Sequence, residues 1–60
     1  MSRSITVFDK ASDAISEAEY CADTYRLPYA IITMEQYFGV VNNNEIEESD
    51  VILEIVNPMG

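Results

Sequence analysis

The spacing of apolar and polar positions changes along the chain, and each change marks an element. Ser4 to Phe8 (Ser-Ile-Thr-Val-Phe) is β-branched and aromatic and reads as a first strand. From Ala11 the apolar residues recur at Ala14, Ile15, Ala18, Cys21, Ala22 and Tyr25. That is the i, i+3, i+4, i+7 spacing of an amphipathic helix, with a narrow buried stripe of small residues that would let it lie close against a sheet. The pattern predicts a helix over residues 10–25, with Asp9 preferred to Ser12 as its N-cap. Pro28 ends it, because the residue before a proline is pushed out of helical geometry.

Beyond the proline the period shortens. Tyr29-Ala-Ile-Ile-Thr-Met34 and Tyr37-Phe-Gly-Val-Val41 are strand-like runs separated by Glu35-Gln36, which suggests a hairpin. Glu-Gln is not the Asn-Gly type favoured in tight two-residue turns, so a longer loop or a bulge near Gly39 is expected. The alternative reading of Gly39 is a place where another part of the chain approaches closely. Asn42 to Ser49 is polar and acidic, with room for one helical turn, and Asp50 to Val56 is the last strand, closed by Asn57-Pro58. The order is β-α-β-β-β. The fold class is α+β, with one helix packed on one face of a small three- to four-stranded sheet. If the first two strands share that sheet and run the same way, they form a right-handed parallel unit across the helix.

A single helix leaves one sheet face to account for. Ile31 and Ile32 are adjacent, and Val51, Ile52, Leu53, Ile55 and Val56 are nearly continuous, so strand alternation makes both faces apolar. With 60 residues in a single domain (1–60), nothing obvious remains to cover the second face. A core of this size supplies only about 3–5 kcal/mol. One cysteine and no histidine exclude an internal disulfide and a zinc site as staples. A homodimer or a bound partner on the open face is therefore expected, the alternative being that the final strand crosses over part of that face or that the face is only patchily apolar.

Charge narrows the function further. Eleven acidic residues oppose three basic ones, a formal net charge of −8. Residues 35–60 hold six acids and no cation. Such a field disfavours direct nucleic-acid and membrane binding and attracts basic protein surface. The absence of histidine removes the usual general base, and Lys10 is the only side-chain amine, so no enzyme and no cofactor are expected. Cys21 reads as a small residue of the helix stripe. The oxygen-rich run from Asn42 to Asp50 lacks the central glycine and acid spacing of a calcium loop, so no metal site is expected. Neither a signal-peptide core nor a run of about 20 apolar residues is present, which with a free cysteine points to the cytosol.

Two acidic groups are the candidate partner-binding residues. Asp13, Glu17 and Tyr20 lie along one side of the helix with Asp23 beside them. Tyr25 falls on the buried stripe, which leaves Tyr20 as an exposed anchor among acids. The second group is Glu45, Glu47, Glu48 and Asp50. Carboxylates recur about every 6 Å along i, i+4 rows of a helix, close to the phosphate spacing of a nucleic-acid strand. The bland alternative is that these charges only keep an apolar fold soluble. Tyr29 and Tyr37 flank the hairpin and are expected to pair across it.

The stretch from Ile5 to Ala18, followed by Leu27-Pro-Tyr-Ala-Ile-Ile32 and Tyr37-Phe-Gly-Val-Val41, resembles short acidic bacteriophage-encoded proteins built as a strand, a helix and a hairpin. That resemblance implies a class of non-enzymatic proteins that disable host machinery, some by imitating DNA, and it transfers no functional residue. The leading expectation is a protein of the host cytosol that occupies a basic surface on a nucleic-acid-binding enzyme or defence complex. The alternative is a structural or assembly subunit that self-associates through the open sheet face, using Ile31, Val40 and Leu53 or their face-mates.

Overall fold

The helical spacing becomes α1, Ala11–Tyr25, in a computed structural model that describes residues 3–59. Its cap is Lys10, not Asp9. Lys10 has the extended backbone of an N-cap (φ −127°, ψ 137°) and its carbonyl accepts the Ala14 amide at 3.2 Å, but no side chain caps the helix. An ammonium has no lone pair to offer an orphan amide, and Asp9 lies one residue too early. Asp13 in the first turn is the acid that complements the positive end. Arg26 then turns the chain with φ 57°, in the left-handed geometry common after a helix, and Pro28 follows.

Among the described residues four strands form one sheet: β1 (Thr6–Phe8), β2 (Tyr29–Met34), β3 (Tyr37–Asn42) and β4 (Val51–Val56), in the order β1-β3-β2-β4. Every neighbouring pair is antiparallel. β1 and β2 do run in the same direction, since both oppose β3. They are not neighbours, because β3 inserts between them and splits the parallel unit. The architecture is α+β, with the helix against the sheet. Among the described residues no helix is long and apolar enough to cross a membrane.

Glu35-Gln36 is itself the hairpin turn, because Met34 pairs with Tyr37. Glu35 takes the left-handed geometry (φ 56°) that tight hairpin turns need and that glycine or asparagine adopts more cheaply. Pairing of β2 with β3 continues without interruption through Gly39. The irregularity lies instead between β2 and β4: Ile31 pairs with Glu54 and Ile32 with Ile52, which leaves Leu53 as the extra residue of a bulge. Gly39 is required by crowding. An ideal Cβ there would sit 2.8 Å from Met34 Sδ, 2.9 Å from Ile5 Cγ2 and 3.2 Å from Ile32 Cγ1.

Strand alternation sorts the core into two layers. On the helix side Ala14, Ala18, Ile31 and Val40 are buried, with Phe8, Ile15, Tyr29, Phe38 and Val56 packed around them. The alanine stripe permits this close approach. On the other side Ala30, Ile32 and Val41 are buried under Ile5, Met34 and Ile46. The second face is therefore closed at its centre, by residues around Ile5 and by the segment between β3 and β4. Ile31 and Val40 lie in the helix layer, 0% and 4% exposed, and are excluded from any open-face contact.

A clamp ties the two coverings together. Arg3 Nη2 donates to Asp50 Oδ1 at 2.7 Å, Arg3 Nη1 donates to Asp50 Oδ2 and, at 2.8 Å, to the Glu45 carbonyl. Asp50 Oδ2 also accepts the Glu47 amide at 2.8 Å. What remains open is β4, the six-residue edge strand, where Val51, Ile52, Leu53 and Ile55 are all exposed.

Candidate functional site

The eight candidate residues do not share one surface. Asp13 and the 64%-exposed Tyr20 form the outward ridge of α1. Glu17 and Asp23 lean to opposite flanks of it. Asp23 Oδ1 accepts the Met59 amide at 3.0 Å, while Arg26 donates to the Met59 carbonyl at 3.1 Å, so this acid anchors the segment after β4. Glu47 and Glu48 are exposed on the segment whose Ile46 covers the opposite sheet face. Asp50 is half-buried and committed to the clamp, where hydrogen bonds from Arg3 and the Glu47 amide lower its pKa to about 2. It is a structural carboxylate.

One pair does come together across the fold. Glu17 of α1 and Glu45 of the single-turn 3-10 segment Asn43–Glu45 line a cleft of about 490 Å³. Tyr25, Tyr29, Cys21, Asn42 and Asn44 complete much of its wall, and Val40 contributes an apolar part. The volume falls in the range of small-molecule sites. Neither lysine nor arginine lines it.

Local structure explains how each side chain arrives there. Glu17, Cys21 and Tyr25 recur at four-residue spacing and make one flank of α1. The Cys21 thiol lies 3.5 Å from Glu17 Oε2 as a weak donor. Tyr25 belongs to the apolar spacing, yet it is 59% exposed because the last turn of the helix reaches the margin of the sheet. It meets Tyr29 at the start of β2, with ring centroids 6.2 Å apart and planes inclined by 34°. The expected Tyr29–Tyr37 pair does not form: Tyr29 is opposite Asn42 and Tyr37 opposite Met34, at the two ends of the hairpin. Asn42 Oδ1 accepts the Asn44 amide at 2.8 Å, which shapes the 3-10 turn and aims Glu45 toward α1.

Burial raises the Tyr29 phenol above its ordinary pKa, with Cys21 adding to the shift and a hydrogen bond from Asn42 opposing it. Burial likewise raises the Cys21 thiol, reinforced by Glu17. Both groups stay neutral at pH 7, so the formal charges in the wall are those of Glu17 and Glu45. The arrangement presents acceptors and aromatic faces to whatever enters and carries no activated nucleophile. A second groove of about 320 Å³ lies on the other flank of α1, between Glu19 and Asp23 and the residues Val56, Asn57 and Met59.

Sequence reasoning marked Glu17 and Glu45 separately and missed their convergence, together with Tyr25, Asn42 and Asn44. The Asn42-Asn-Asn44 run was the available signal, since asparagine there favours a tight turn that can aim its neighbours. Scanned against protein-family models, curated proteins and solved structures, the chain matches none of them.

Proposed function

We propose that this is a non-enzymatic binding protein that occupies a basic surface on another protein, through the side of α1 that carries Asp13, Glu17 and Tyr20 and continues into the cleft with Glu45. The observation that carries the reading is the lack of internal neutralisation. Among the described residues the ion pairs are Arg3 with Asp50 and Arg3 with Glu47, Glu45 feels the same guanidinium at longer range, and no acid of α1 forms an ion pair. α1 itself holds four acids and no base, including the like-charged pairs Asp13–Glu17 and Glu19–Asp23 at i, i+4, which disfavour an isolated helix. Repulsion of this kind is relieved by a basic partner. A nucleic-acid-handling or defence protein of a bacterial host fits that description, with the α1 acids standing where phosphates would lie. Glu47 and Glu48 contribute to the overall field from the other face.

The test is capture from bacterial lysate on the immobilised protein, with elution by rising salt and identification of what elutes, alongside an Asp13→Lys/Glu17→Lys variant. Loss of the captured species from the variant, and elution at moderate salt, are expected. Capture of the same species by the variant, unaffected by salt, refutes the reading.

A second reading, self-association, draws support from β4. This edge strand exposes four large apolar side chains and an unpaired backbone edge, with only the Leu53 bulge and Glu54 to discourage pairing. Light scattering that gives a salt-insensitive assembly, abolished by Leu53→Lys, would favour it.

A further inference from the structure

We infer that the cleft between α1 and the Asn43–Glu45 turn is a receptor for a guanidinium group, the side chain of an arginine presented by the basic partner. The inference rests on the proposed binding function and gives it a specific site. Three features of the cleft converge on this chemistry. Acidic side chains enter from two elements distant in sequence, Glu17 from α1 and Glu45 from the turn after β3; no lysine or arginine lines the cleft, and Arg3, which donates to the Glu45 carbonyl from outside it, offsets the Glu45 charge only in part. Two tyrosine rings stand beside them, held 6.2 Å apart at a shallow mutual angle. The remaining polar lining is Ser4, Thr6, Asn42 and Asn44, side chains that each carry an oxygen acceptor.

A guanidinium is planar and always charged, and it directs five N–H donors in fixed directions. It can donate to carboxylates on two walls while its face lies against a tyrosine ring. A lysine ammonium would meet the same charges as a point, with no plane to stack and a stronger hold on its hydration shell. A neutral ligand of the same shape would leave Glu17 without a counter-charge and Glu45 with only the partial offset from Arg3. The tyrosine hydroxyl and Cys21 thiol, neutral at pH 7, add no competing charge. Asn42 Oδ1 is already occupied by the Asn44 amide, so the acceptors left for the ligand are mainly Glu17, Glu45, Asn44 and the hydroxyls.

Backbone amide NMR with N-acetyl-arginine amide, N-acetyl-lysine amide and N-acetyl-citrulline amide tests this directly. The expected result is saturable shifts concentrated at Cys21, Tyr25, Tyr29, Asn42 and Asn44 with the arginine probe, weaker shifts with lysine and none with citrulline. Glu17→Gln and Glu45→Gln are each expected to weaken the arginine response roughly tenfold, the value of one charged hydrogen bond. Both residues are outside the buried core, and the spread of amide resonances verifies that each variant is folded. Non-saturable shifts, shifts spread over the whole acidic surface, or equal responses in the variants overturn the assignment.

A nona-arginine peptide separates the two levels of the argument. Peptide binding that survives both substitutions without moving the cleft resonances eliminates the guanidinium site while leaving the acidic surface as a binding face. No peptide binding at low salt defeats both.

Discussion

Placing a methyl group at Gly39 challenges the packing of the second sheet face at its tightest point. The added Cβ would lie 2.8 Å from Met34 Sδ, 2.9 Å from Ile5 Cγ2 and 3.2 Å from Ile32 Cγ1. Met34 can swing away because its sulfur is near the end of a flexible chain. Ile32 is 1% exposed and has nowhere to go. Ile5 is β-branched, so its methyl cannot move without leaving its rotamer or shifting the backbone. The strain therefore falls on the segment that joins Arg3 to β1. Alanine regains about 0.5–1 kcal/mol over glycine by restricting the unfolded chain. Overpacking costs about 1–3 kcal/mol. The difference is a net loss of about 1 kcal/mol, a sizeable part of the roughly 3–5 kcal/mol that a core of this size supplies. With a urea slope near 1 kcal/mol/M for a small domain, Gly39→Ala should lower the midpoint by about 1 M in a circular-dichroism melt. An Ile5→Ala background removes the clashing methyl, so the same substitution should cost at least about 0.5 kcal/mol less there. An unchanged or higher midpoint for Gly39→Ala, or no coupling to Ile5, would refute the argument.

The Arg3–Asp50 clamp makes an acid-dependent contribution. Asp50 is held at about 2 against an ordinary 3.8, so its stabilisation is present above about pH 4 and is lost as the pH falls toward 2. Thermal melts from pH 5 to pH 2 should show a steeper decline for the wild type than for Asp50→Asn, and parallel curves would disprove the role. Glu35 adopts φ 56° at the hairpin, where a side chain costs about 1–2 kcal/mol relative to right-handed geometry. Glu35→Gly and Glu35→Asn should each raise the urea midpoint, for glycine by an amount equivalent to about 0.5–1 kcal/mol once its chain entropy is subtracted. No gain in either variant would place the strain elsewhere. With a net charge of −8, added salt should raise stability, because screening of repulsion outweighs weakening of one clamp. Urea midpoints at 0.05 and 0.5 M potassium chloride decide this, and a fall at the higher salt would show the clamp to dominate.

Much of the local structure was legible along the chain. The seven apolar residues from Ala11 to Tyr25 and the stop at Pro28 define α1, because helical periodicity and proline stereochemistry act within a few residues. The same locality made β2, β3 and β4 readable. The cap was misjudged because Asp9 is the better capping residue in isolation, while the backbone begins its helix one residue later. Of the candidate site, the exposure of Tyr20 followed from position alone. The half-burial of Glu17, the tether on Asp23 and the commitment of Asp50 did not.

Those features depend on which distant segments meet. A short turn obliges β2 and β3 to pair, but a crossover through α1 can land β1 beside either of them, and local pattern does not choose. Packing both sheet layers selects the order β1-β3-β2-β4. That order sets where the sheet ends, which leaves Tyr25 exposed despite its apolar spacing. It also brings Arg3 to Asp50 and Glu17 toward Glu45. Residue type and spacing determined the elements and the anionic character of this protein. Only the folded arrangement decided which carboxylates are structural and which two face a common cleft, because electrostatic and packing contacts act through space and not along the chain.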